Sequence, residues 1–301
     1  MRRSIILGMA ALAFAAPALY ARPAPRPVPI PAAIYTDPAP NKLHPARMEV
    51  LHIPSGGVEI NGVAYLAAGP GPHPTLVICH GWPGNEKNLD LAQAVRRAGW
   101  NVVTFNYRGS WGSPGNFRFA QNPEDARAVL AYLRIPANAA KLGVDVRKMA
   151  IIGHSMGGWV TTMVAGEDDG LLGAGLISAA NMGVMRGLDR PGIVKMAAEN
   201  SETLAGTSPE MMADELIAER PKFDFLQAAP GLAKMPLLVL SSDDGLAPQT
   251  DALIAAVRAK GGKRITAYHV ATDHGWNDKR VLLQAHVIRW LQGLVVKPKR
   301  A

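Results

Sequence analysis

The five residues Gly153-His154-Ser155-Met156-Gly157 lie between the apolar run "MAIIG" and the helix-like stretch "GWVTTMVAG". A chain that passes from strand to helix in so few residues crowds its own backbone. Glycine on both sides of a serine relieves that crowding and leaves the hydroxyl exposed on a strained point. The helix that follows aims its free N–H groups and positive end at the same place. The chemistry this suits is nucleophilic attack by Ser155, and the bland alternative is a glycine-rich turn without chemistry. A serine hydroxyl is a poor nucleophile until a base takes its proton, and that base needs an acid to orient it.

In a strand–turn–helix arrangement of this kind, the acid follows a later strand and the histidine follows the last one. Three of the eight histidines lie late enough: His269, His274 and His286. His269 falls within a strand pattern and His286 within the final helix. His274, in the loop "TDHGW" after "RITAYHV", is the expected base. "LLVLSSDDGLAP" ends a strand on two acids. We assign Asp244 as the orienting acid, with Asp243 as its competitor, and read Asp273 as solvated. Attack on an acyl carbon builds an oxyanion that needs preorganised donors. The glycine-rich "CHGWPG" lets backbone come close to a substrate, so the backbone N–H groups of Trp82 and Met156 are the expected oxyanion hole, with His80 structural.

These residues need elements to hold them. "TLVICH" is a short continuous apolar run, as a strand covered on both faces requires. Before it, "MEVLHIP" and "VEINGVAYLAAG" read as strands around Ser55-Gly56-Gly57, the second with its own Asn61-Gly62 turn. After it come a helix from about Asn88 to Ala98, the strand "NVVTFNY" and the glycine-rich loop "RGSWGSPGNF". The next helix has Asn122 as its cap, Pro123 at its first position and a stripe of Ala126, Val129, Leu130 and Leu133. "KMAIIG", "LGAGLISAA", "MPLLVLSS" and "RITAYHV" are further strands. Helices near Gln249–Lys260 and at the C-terminal end follow, the last marked by Val281, Ala285, Ile288 and Leu291. Strands alternating with helices at this spacing predict an α/β fold with a doubly wound, mostly parallel sheet. One connection, residues 181–235, is too long to be structureless; it predicts a helical lid insertion between the sixth and seventh strands. It holds Met182, Met185, Met196, Met211, Met212 and Met235, which either pin small helices to the sheet or form a flexible acyl pocket.

The N-terminus reads as an address. A short cationic start, an apolar run broken by proline and small residues near Ala21 make residues 1–21 a signal peptide, and Arg2-Arg3 resembles a twin-arginine signal. The expected location is periplasmic or secreted, with no membrane span in the mature form. Residues 22–47 are a proline-rich leader, 48–296 the main domain and 297–301 a basic tail. The formal charge of +8 comes from scattered residues, without a basic helix interleaved with aromatics, so no nucleic acid partner is expected. Cys79 is the only cysteine, so no internal disulfide forms, and its apolar run makes it a buried, inert thiol. Metal and cofactor are both expected to be none: His80 and His154 lack ligand spacing, "GHSMGG" lacks the P-loop lysine, and Glu167-Asp168-Asp169-Gly170 reads as an exposed helix end.

In order and spacing, "HGWPG", "GHSMGG", "SSDDGLAP" and "TDHGW" resemble the motifs of the α/β-hydrolase superfamily over roughly Met48 to Val296. "NYRGSWGSPGNF" followed by "PEDARAVLAYLR" looks most like its prolyl-oligopeptidase-like and dienelactone-hydrolase-like branches. Dienelactone hydrolases carry a cysteine where Ser155 stands, and the stretch ahead of the domain is too short for an oligopeptidase propeller. What the resemblance implies is a stand-alone serine esterase acting on a small-molecule ester through an acyl-enzyme. A small peptidase or amidase, an acyltransferase and a non-catalytic binding protein are the alternatives.

Overall fold

The computed structural model describes residues 28–184 and 187–296. The signal-peptide reading, the start of the leader, Met185 and the basic tail lie outside the described residues. The strands are β1 (Arg47–Ser55), β2 (Val58–Leu66), β3 (His73–Cys79), β4 (Asn101–Phe105), β5 (Val144–His154), β6 (Gly173–Ile177), β7 (Leu237–Ser242) and β8 (Ile265–Val270). They form one eight-stranded sheet in the order β1-β2-β4-β3-β5-β6-β7-β8. β2 runs antiparallel to both β1 and β4, and every pairing from β4 to β8 is parallel. The helices are α1 (Leu89–Arg97), α2 (Gln121–Arg134), α3 (Pro136–Leu142), α4 (Met156–Ala165), α5 (Arg190–Ala198), α6 (Pro209–Ala218), α7 (Arg220–Phe223), α8 (Ala229–Leu232), α9 (Ala247–Ala259) and α10 (Arg280–Val295).

The sheet divides the core in two. Along β3, Val77 and Cys79 join a cluster with α2, α4 and α9, while Leu76 and Ile78 face α1 and α10 on the other side. Successive side chains point to opposite faces, so a strand covered on both sides must be apolar throughout. The edge strand β1 alternates instead: Leu51 and Ile53 are buried and Met48 and Val50 exposed.

Three local expectations are corrected. Asn61 and Gly62 make no turn; they pair with His52 and Leu51 inside a continuous β2. The hairpin turns at Gly56 and Gly57, which both have positive φ, the conformation a tight hairpin needs. Gly62 serves close packing, because a Cβ there would stand 3.2 Å from the Thr104 carbonyl oxygen on β4. Asn122 does not cap α2. It sits within the first turn, buried, and its Nδ2 donates to Met156 Sδ at 3.4 Å, a tertiary contact overriding a local preference. Val281 is 52% exposed; the buried face of α10 uses Leu283 and Val287 beside Ala285, Ile288 and Leu291.

The long connection between β6 and β7 folds into α5 to α8, with Ile193, Ala197, Met212, Leu216 and Phe223 buried in the larger core cluster. Its methionines divide: Met212 and Met235 are core, Met211 is exposed, and Met182 and Met196 reach the cavity described below. The acidic run also resolves into ion pairs, with Glu167 on Arg127, Asp168 on Arg134 and Asp169 on Lys234. No group of three or more potential metal-ligating side chains occurs among the described residues. No helix among them is long and apolar enough to cross a membrane.

Candidate active site

Ser155 joins β5 to α4 with φ 58° and ψ −124°, a conformation that L-residues adopt only under constraint. Its N–H donates to the Ile177 carbonyl at 2.9 Å, and its own carbonyl accepts from Gly158 and Ala180. The neighbouring glycines are sterically required. A Cβ on Gly153 would lie 1.9 Å from the Gly157 oxygen, and one on Gly157 would lie 2.2 Å from the Cys79 oxygen. Met156 opens α4, so its N–H has no carbonyl one turn back within the helix.

Asp244 and His274 come together after β7 and β8. His274 Nδ1 lies 2.7 Å from Asp244 Oδ2; the carboxylate is 5% exposed and the imidazole 42%. Burial works to raise the Asp244 pKa, but hydrogen bonds from His274, from the Leu246 N–H and from the Ser242 hydroxyl outweigh it and hold the acid down at about 2. Asp243 points elsewhere. Its carboxylate meets His269 Nε2 at 2.8 Å on the surface, so the two adjacent acids serve different histidines. Asp273 is exposed and accepts from Asn277.

Ser155, Asp244, His274, Met156 and Trp82 all line one cavity of about 370 Å³. The structure therefore gathers the five sequence-selected residues at the C-terminal ends of β3, β5 and β7 and beyond β8. The Trp82 ring packs edge-on against Phe119 at 5.0 Å. The loop that carries Trp82 is braced by two donors: Tyr107 Oη donates to the His80 carbonyl at 3.1 Å and Trp111 Nε1 to the Pro83 carbonyl at 2.7 Å. His80 is buried, its Nδ1 is on the Gly81 carbonyl, and burial pushes its pKa down to about 4. Burial also pushes the Cys79 thiol up to about 12, as an inert thiol requires.

Several residues outside the predicted set support the site. His154 Nε2 donates to the His274 carbonyl at 2.8 Å, tying the β5 turn to the loop after β8; burial holds that imidazole neutral, with a pKa of about 4. Behind Asp244 a hydroxyl chain runs from Trp276 Nε1 to Ser178 Oγ at 3.0 Å and on to Ser242 Oγ at 2.7 Å. Ser242 and Trp276 sit inside the motifs "SSDD" and "HGW", so the signal was adjacency. Nothing in the sequence connected Ser178 to them. Gln249 and Asn200 also face the cavity, from α9 and from the end of α5.

The model of the alpha/beta hydrolase family matches residues 76–296, which includes every one of these residues. The chain belongs to that family. As an alpha/beta hydrolase it is 28% identical over 129 residues to an uncharacterized protein of Mycobacterium tuberculosis, a match covering 42% of this chain and 44% of that one. The chain thus spans less than half the length of that relative. Among solved structures, it is similar to an esterase of Pyrobaculum calidifontis, with a TM-score of 0.64 at 19% identity over 85% of this chain and 88% of that one. It is also similar to an acylaminoacyl peptidase of Pyrococcus horikoshii, with a TM-score of 0.61 at 16% identity over 81% of this chain and 40% of that one. At these identities the likeness is one of fold.

Proposed function

We propose that this alpha/beta hydrolase cleaves carboxylic esters through an acyl-enzyme on Ser155. The observation that carries the reading is an acid–base pair, His274 on Asp244 at 2.7 Å, opening onto the same cavity as a serine held at positive φ. With Nδ1–H donated to Asp244, His274 presents Nε2 as the base. Ser155 Oγ attacks the acyl carbon as its proton passes to Nε2, and Asp244 stabilises the imidazolium that forms. The backbone N–H groups of Trp82 and Met156 take the oxyanion. Collapse breaks the ester C–O bond, and the alcohol leaves with the proton from Nε2. Water then attacks the acyl-enzyme, gives its proton to His274 and releases the acid, restoring Ser155. On this reading the 181–235 segment is the lid.

The test is turnover of p-nitrophenyl butyrate together with fluorophosphonate labelling. Ser155→Ala is expected to lose the label and at least about 10³-fold in kcat. Undiminished turnover in that variant removes the proposal. A second reading, amide or peptide cleavage on the same machinery, is favoured by the fold likeness to the acylaminoacyl peptidase. Turnover of p-nitroanilides faster than the matching esters selects it. We further propose export to the periplasm or beyond on the first 21 residues; retention of the full-length chain in the cytoplasm on fractionation overturns this.

A further inference from the structure

Among the described residues, the cavity over Ser155 carries no ionised side chain beyond the Asp244 of the acid–base pair, and that carboxylate is engaged by His274. Met182, Leu188, Met196 and Trp82 give it an apolar wall. Two carboxamides interrupt that wall with opposite chemistry left over. Gln249 Oε1 accepts the Asn181 N–H at 2.6 Å, which fixes the group and leaves its NH2 as the part able to meet a ligand. Asn200 Nδ2 donates to the Met196 carbonyl at 2.8 Å, which leaves its Oδ1 as an acceptor. Asn181 also lines the cavity, but its side chain is spent internally. It donates to Asp224 and accepts from the N–H groups of Gly183 and Phe225.

One donor and one acceptor on a wall that is otherwise apolar and uncharged among the described residues match an amide, which brings one carbonyl and one N–H. An ammonium group would find no carboxylate there beyond the Asp244 that His274 already holds, and a bare hydrocarbon would leave the Gln249 NH2 and the Asn200 Oδ1 facing an apolar group. The leaving oxygen must sit beside His274 to receive its proton; Trp82 and Met156 line the same cavity as both carboxamides, and that wall is assigned to the acyl side. We propose, resting on the Ser155 ester-hydrolysis reading, that the enzyme prefers uncharged acyl groups bearing an amide, chemically N-acylated aminoacyl esters. It takes these over free aminoacyl esters and over plain fatty acyl esters of equal length, and Gln249 and Asn200 set the preference.

The test compares three ethyl esters by pH-stat at about pH 7, where an α-amine is largely ammonium: N-acetyl-L-alanine, L-alanine and the isosteric 2,4-dimethylpentanoate. Each rate is divided by that ester's own hydroxide-catalysed rate. The wild type is expected to favour the N-acetyl ester in kcat/KM by about 10-fold over the hydrocarbon and on the order of 10²-fold over the ammonium ester. Gln249→Glu keeps an oxygen for the Asn181 N–H but replaces the NH2 donors by a carboxylate, so the N-acetyl to ammonium ratio should fall at least about 10-fold. Asn200→Leu, which leaves Gln249 intact, should lower the N-acetyl to hydrocarbon ratio by several-fold. Normalised rates within threefold for all three esters, or ratios unmoved by both variants, overturn the proposal. If p-nitrophenyl butyrate is still turned over by the wild type and not by Ser155→Ala, only the substrate preference has failed. If no ester is turned over and Ser155 takes no label, the hydrolytic reading has failed with it.

Discussion

Asp243 and Asp244 show how finely the site is decided at the residue scale. Both are strand-end carboxylates, yet one reaches His274 within the cavity and the other His269 on the surface. Asp244→Asn is therefore expected to lower kcat by about 10⁴-fold, because its NH2 can donate to Nδ1 and hold the wrong tautomer and its neutral group no longer stabilises the imidazolium, while Asp243→Asn stays within about threefold. Steady-state kinetics on the two variants checks this. The same contacts depress the Asp244 pKa from 3.8 to about 2. A carboxyl that is more acidic when folded contributes stability in full above its unfolded pKa and loses it as pH falls from about 3.8 toward 2. Asp244→Asn should abolish that part of the acid sensitivity, so the melting temperatures of wild type and variant should converge over this interval.

The β5–α4 turn works as one element, and its glycines are matters of space. The backbone of β3 passes so close that a methyl group on Gly157 would stand 2.2 Å from one carbonyl oxygen and 2.6 Å from the next, those of Cys79 and His80. Gly157→Ala should therefore cost about 3 kcal/mol or prevent folding, since backbone cannot move aside as a flexible side chain can. Gly293, on the last helix, has open space around its position. Gly293→Ala should leave stability unchanged or raise it by up to about 1 kcal/mol. Urea unfolding of the two variants tests whether close packing, rather than glycine content, governs the turn.

Across the whole molecule, Asp125 joins three distant parts of the chain. Its carboxylate is fully buried and accepts from Ser55 at the end of β1, from the Arg108 N–H and from the Arg108 guanidinium at 2.6 Å. Asp125→Ala leaves a largely buried guanidinium without that partner, at an expected cost of about 3–5 kcal/mol in denaturant midpoint analysis. Two buried histidines add a pH dependence. His80 and His154 both drop to about 4, chiefly through burial, from an ordinary value of 6.5. An unfolded chain takes up those protons first, so stability should decline as pH falls from about 6.5 to about 4, by several kcal/mol in total. Unfolding free energies measured across that range, with His154→Gln showing a shallower slope, are the check.

Sequence by itself determined the sheet, the order of its parts and the residues worth following. Apolar runs such as "TLVICH" and the glycine pair around Ser155 follow from burial on two faces and from backbone crowding, both local in origin. Local preference misled at Asn61-Gly62 and at Asn122, where pairing with β1 and a contact to Met156 outweighed turn and cap propensities. Tertiary structure alone decided which carboxylate meets His274, that Ser178 and Trp276 stand behind Asp244, and that Gln249 and Asn200 share a cavity wall. Those relations join residues from about 30 to nearly 100 positions apart in the chain. Their geometry depends on how strands register and helices pack, which no spacing along a sequence encodes.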